Sequence, residues 1–117
     1  FQDDIYKVAE VIQNFDNIRV IHIKDYIKNP KENGYRSYHM HVEIPVRMLD
    51  GEKWVQVEFQ LRTVAMDFWA SLEHKIRYKN ESEIPDSISS ELKLCATLVE
   101  KMDAEMQSLN NQIESLD

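Results

Sequence analysis

The stretch SYHMHVEIPVRMLDGEKWVQVEFQLR, residues 37–62, decides the architecture. From Ser37 it alternates, with Tyr38, Met40, Val42, Ile44 and Val46 on one face and Ser37, His39, His41 and Glu43 on the other. After Asp50-Gly51 the alternation resumes, with Val55, Val57, Phe59 and Leu61 opposed to Gln56, Glu58, Gln60 and Arg62. A period of two marks a half-buried strand, and two such runs around a turn dipeptide mark a β-hairpin. A two-residue turn at Asp50-Gly51 predicts that Glu43 faces Glu58, His41 faces Gln60 and His39 faces Arg62, with every apolar residue on the buried side. Two carboxylates directly opposite one another destabilise a sheet, so a cation or a bound divalent ion is expected beside them.

Working outward, Ile5, Val8, Ala9, Ile12 and Phe15 follow the helical period, with Asp3 and Asp4 available as caps and Asn14 to Asn17 ending the helix. Ile18 to Ile23 is short and β-branched, which predicts a buried strand, and the Pro- and Gly-containing loop KNPKENGYR follows it. Beyond the hairpin, Thr63 is placed to cap a helix whose stripe of Ala65, Phe68, Trp69, Leu72 and Ile76 is expected to cover the sheet's apolar face. After NESEIPD, apolar residues recur from Ile88 through Leu92, Cys95, Val99, Met102, Met106, Leu109 and Ile113 to Leu116, with spacings alternating four and three. Such a helix is roughly 45 Å long at about 1.5 Å per residue, and its seam asks for a partner helix. The fold class is therefore α+β, a mixed or antiparallel sheet flanked by helices and followed by a long C-terminal helix. Residues 1–80 read as one domain and 81–117 as a helical appendage that carries oligomerisation.

The 117 residues, 43% of them hydrophobic, suffice for one domain with a real core. A formal charge of -7 opposes the counterion-driven binding of long nucleic acid, yet leaves room for a compact phosphorylated ligand held by a few converging cations. The lone Cys95 forms no internal disulfide, as in a reducing compartment, and its seam position suggests packing rather than nucleophilic chemistry. No apolar run approaches the roughly 20 residues of a membrane span. A soluble, cytoplasmic protein is expected.

The chemistry lies on the polar hairpin face and the loop beside it. Taken alone, Glu58, Gln60, Arg62, His39 and His41 describe the solvated side of an antiparallel sheet. Adding Lys31, Asn33, Gly34 and Tyr35 supplies a phosphate-pairing ammonium, an amide for a base edge, a permissive backbone position and a stacking ring, the parts of a nucleotide pocket. His39 and His41 lack a third ligand of known proximity for a zinc site, and His22 and His74 read as surface or packing residues.

The string IKDYIKNPKENGYRSYH (23–39), followed by VEFQLRT (57–63) and AMDFWASLEHKIRY (65–78), resembles the synthetase domain of the RelA/SpoT alarmone enzymes over about residues 18–80, in particular the small stand-alone branch. The resemblance implies a nucleotidyltransferase-like fold and Mg2+-dependent transfer of pyrophosphate from ATP to the 3′-hydroxyl of GDP or GTP, producing (p)ppGpp in the stringent response. On that reading Tyr35 stacks on guanine with Asn33 at its edge, and Lys24, Lys31 and His39 contact the acceptor's phosphates or ribose. Gln60 and Arg62 organise the floor, while Glu58 binds magnesium and helps deprotonate the attacking hydroxyl. The family's ATP-side basic residues and a second magnesium-binding Asp are expected upstream of Phe1, so this stretch taken alone is expected to be inactive. A homo-oligomer is expected from the seam, and the resemblance implies that a tetramer is a plausible size. The competing reading is a catalytically inactive module that binds guanine nucleotide or assembles oligomers.

Overall fold

The computed structural model describes residues 1–79 and 84–116. Its elements run α1 (Gln2–Gln13), β1 (Arg19–Asp25), β2 (Tyr38–Met48), β3 (Gly51–Leu61), α2 (Val64–Lys79) and α3 (Asp86–Glu114). The three strands form one antiparallel sheet in the order β1-β2-β3. Asp3 and Asp4 lie within the first turn of α1, two and three residues past the N-cap position that Phe1 occupies, although acidic groups there still complement the helix dipole.

The hairpin forms with its expected faces but a different register. His41 pairs with Glu58, Glu43 with Gln56, His39 with Gln60 and Met48 with Gly51, so Leu49 and Asp50 make the loop. Gly51, at φ +123°, stands just after the loop instead of inside it. A slip of two positions keeps every side chain on its own face and changes only its neighbours. It also separates the two carboxylates expected to oppose each other: Glu58 gains His41 opposite it, and Glu43 gains Arg19 of β1, 4.0 Å away.

The strand expected to be buried, β1, is the exposed edge, with Val20, Ile21 and Ile23 each more than a third accessible. A bulge between Val20 and His22 interrupts its pairing to β2. Hydrophobic β-branched composition reports strand formation; it does not report how many neighbours the strand acquires.

Ile5 and Ala9 of α1 close over Tyr38, Met40 and Val42 of β2, together with Ile27 from the loop. Among the buried residues of this core, α2 contributes Met66. The helix expected to cover the sheet instead turns Trp69 and Ala70 toward Leu92 and Ala96 of α3, leaving Phe68 and Leu72 largely exposed. Thr63 caps α2 as predicted, its hydroxyl accepting from the Met66 amide at 3.1 Å, while the Trp69 indole donates to the Leu92 carbonyl at 2.8 Å.

The 29 residues of α3 span about 44 Å. Leu92, Ala96 and Asp103 are buried and Val99 half-buried, whereas Cys95, Met102, Met106, Leu109 and Ile113 are exposed, so Cys95 is not a packing residue within this chain. Two contacts tie α3 to the 26–37 loop. Gly34 lies so close that a Cβ built on it would stand 2.6 Å from that of Ala96. Asp103 accepts from the Thr63 hydroxyl at 2.8 Å and sits 3.6 Å from the guanidinium of buried Arg36, which also donates to Gln2.

Candidate nucleotide and catalytic site

The polar face of β2 and β3 presents His39, Glu58 and Gln60, and the end of the loop brings Tyr35 alongside. These residues and Arg62 close a ring of hydrogen bonds. His39 Nδ1 lies 3.0 Å from Glu58 Oε1, and His39 Nε2 lies 2.8 Å from the Tyr35 hydroxyl. Arg62 Nη2 donates both to that hydroxyl, at 2.9 Å, and to Gln60 Oε1, at 2.5 Å, and Gln60 Nε2 returns to Glu58 Oε1 at 3.1 Å. The donor order is consistent throughout with a neutral imidazole: Nδ1–H donates to Glu58, Nε2 accepts from Tyr35, and Tyr35 in turn accepts from Arg62. Asp67 anchors the other arm of the guanidinium at 3.1 Å.

This arrangement sets the protonation states. The hydrogen bond from Gln60, seconded by His39, His41 and Lys24, holds the Glu58 carboxyl below its ordinary value, against a smaller opposing effect of burial. Burial pushes His39 below 6.5, and Glu58 only partly opposes it, because Arg62 and Lys31 add positive charge nearby. At neutral pH the site therefore offers an ionised carboxylate beside an uncharged imidazole.

The remaining predicted site residues divide. Lys24 sits on β1 opposite His39 and acts on Glu58 electrostatically. Lys31 places its ammonium over Tyr26 and Tyr35, 4.9 and 5.3 Å from the ring centroids. Asn33 stands apart from the ring: its Oδ1 accepts the Tyr35 amide at 3.0 Å in a local turn. The Tyr35 ring is half-buried, edge-on to Tyr26 and His39 and tilted against Trp69. Beside it opens a cleft of ≈ 460 Å³ bounded by Gln60, Arg62 and the α2 residues Ser71, Glu73, His74 and Arg77, within the range of small-ligand sites. Sequence reasoning missed Asp67, Glu73 and Arg77; the helical period places them on one side of α2, but nothing local shows which side meets the loop.

Glu58 suits magnesium as a single ionised carboxylate. Among the described residues no group of three or more His, Cys, Asp and Glu is placed to hold a metal. Such a donor set resembles sites in which Mg2+ takes one or two carboxylates and completes its shell with phosphates and water.

Residues 1–83 match the family model described as the region found in RelA / SpoT proteins. GTP pyrophosphokinase YwaC of Bacillus subtilis is 42% identical over 114 residues, which cover 97% of this chain and 54% of that protein. The crystal structure of small alarmone synthetase 2 from Bacillus subtilis superposes with a TM-score of 0.93 at 43% identity, over 96% of this chain and 61% of that one. Small alarmone synthetase 1 from the same organism, bound to its product pppGpp, gives 0.92 at 39% identity, over 97% of this chain and 58% of that one. The chain thus spans about half the length of the curated relative it matches.

Proposed function

Because the chain belongs to the RelA/SpoT family, we propose that the whole protein transfers pyrophosphate from ATP to the 3′-hydroxyl of GTP or GDP, making (p)ppGpp and leaving AMP. The observation that carries this reading is the ring centred on Glu58. Its bonds from His39 and Gln60 fall on one oxygen, Oε1, so the carboxylate is oriented before substrate arrives. Oε2 then takes the proton as the acceptor's O3′ attacks the β-phosphorus of ATP and the bond to the α-phosphate oxygen breaks. Tyr35 stacks on guanine, Asn33 holds the loop and lies at the base edge, and Lys24, Lys31 and His39 face the acceptor's ribose and phosphates. Gln60 and Arg62 hold the floor of the site. Glu58 would be among the ligands of Mg2+, which would neutralise charge on the transferring phosphates.

Residues 1–80 form the acceptor side of the synthetase domain, and 81–117 carry homo-oligomerisation, with a tetramer the size that the family resemblance suggests. A cytoplasmic location suits the single, unpaired Cys95. The test is incubation of the whole protein with ATP, Mg2+ and GTP or GDP. A slower-migrating, more highly phosphorylated guanosine product is expected; ATP hydrolysis without that product overturns the assignment.

A further inference from the structure

Glu73 is out of place for a helix packed on a helix. It is 4% exposed, on the side of α2 that buries Met66, Trp69 and Ala70. Its carboxylate accepts from the guanidinium of Arg77, one turn onward and largely exposed. An ion pair at this spacing adds little to a helix, whereas withdrawing a carboxylate from water is costly. Helix stability alone does not account for it.

Its position does. Glu73 borders the ≈ 460 Å³ cleft with Tyr35, Arg62 and Arg77, and on its other side a cavity of ≈ 420 Å³ that Asn33 lines. It therefore stands between the stacking ring and the loop amide, whose oxygen already accepts the Tyr35 amide. Guanine presents along its Watson–Crick edge an acceptor, O6, followed by two donors, N1–H and the 2-amino group; adenine presents a donor followed by an acceptor. A guanidinium beside a carboxylate offers donors and then acceptors, the complement of guanine and the mismatch of adenine.

We propose that the Glu73–Arg77 pair reads the Watson–Crick edge of the acceptor's purine and is the element that selects guanine. The inference rests on the acceptor reading of the Tyr35 cleft. The test compares kcat/KM of the whole protein for GTP and for inosine triphosphate, which lacks only the 2-amino donor. Wild type is expected to favour GTP by about 10- to 150-fold, the worth of one hydrogen bond to a charged group. Glu73→Gln is expected to shrink that ratio at least about tenfold, the change residing mainly in KM. Arg77→Ala, at an exposed position, is expected to lower discrimination between GTP and the triphosphate of 2-aminopurine riboside, which lacks O6 together with the N1 proton, by the share of that discrimination that O6 carries. Equal use of GTP and inosine triphosphate by wild type, or an unchanged ratio in folded Glu73→Gln, overturns the inference. If Glu73→Gln does not fold, by circular dichroism, an unchanged ratio in Arg77→Ala overturns it. Should the wild type turn over no acceptor, the proposed activity fails, and calorimetric binding of GDP against IDP decides the base-reading separately.

Discussion

Glu58 receives its hydrogen bonds from an amide and a neutral imidazole, two donors that order a carboxylate without adding a full charge beside it. Glu58→Gln is expected to fold normally and to lose about 100- to 10,000-fold in turnover; a loss below roughly tenfold removes Glu58 from the proton-accepting role. Tyr35 has two separable duties, because its ring lines the cleft while its hydroxyl links His39 to Arg62. Tyr35→Ala is expected to weaken acceptor binding by about 5- to 150-fold in calorimetry, and Tyr35→Phe to keep most of that affinity while lowering kcat. Equal affinities for wild type and the Ala variant would make the ring a packing residue. His39 also sets a pH dependence. Burial depresses its folded value, so the unfolded chain takes up the proton first as the pH drops. The stability it contributes is present above about pH 6.5 and is lost as pH falls through the folded value, so melting temperature declines as pH falls below about 6.5, and His39→Gln flattens that limb.

At the scale of elements, the loop between β1 and β2 is shaped by its contact with α3. Gly34 has φ +102°, where a side chain is strained, and its backbone presses against Ala96. Gly34→Ala is expected to cost about 1–3 kcal/mol in denaturant unfolding, with Ala96→Gly relieving the steric part but not the backbone part. The faces of the hairpin were legible because a period of two is a local signal, and Thr63 was legible as a cap for the same reason. The register was not, because it turns on whether Gly51 lies inside the loop or just after it, and both placements leave the same faces buried. The exposure of β1, the rotation of α2 away from the sheet and the burial of Arg36 and Asp103 depend on which distant element arrives, and no window of sequence contains that. The candidate site divides in the same way: motif residues of the loop and hairpin could be named beforehand, whereas Asp67, Glu73 and Arg77 join it only through the packing of α2.

For the whole molecule, the unsatisfied surface is the outer side of α3. Met102 and Met106 are about half exposed, and with Phe68 and Val64 they line an apolar groove of ≈ 470 Å³. Val99, at first sight part of the same seam, packs against the cluster around Trp69, so a charge there would damage the chain's own core. Met102→Glu with Met106→Glu is the cleaner disruption: light scattering is expected to show loss of association with nucleotide affinity retained, and a wild type that stays monomeric at high concentration overturns the oligomer. The junction of Arg36 with Asp103 has a different consequence, for the order of events during synthesis. The two residues are far apart in the chain, and closing so long a span is slow compared with forming a hairpin or a helix. A ribosome delivers Arg36 well before Asp103. The nascent hairpin therefore waits for its C-terminal clamp, and the loop bearing Lys31, Asn33 and Tyr35 settles only once most of α3 has left the exit tunnel.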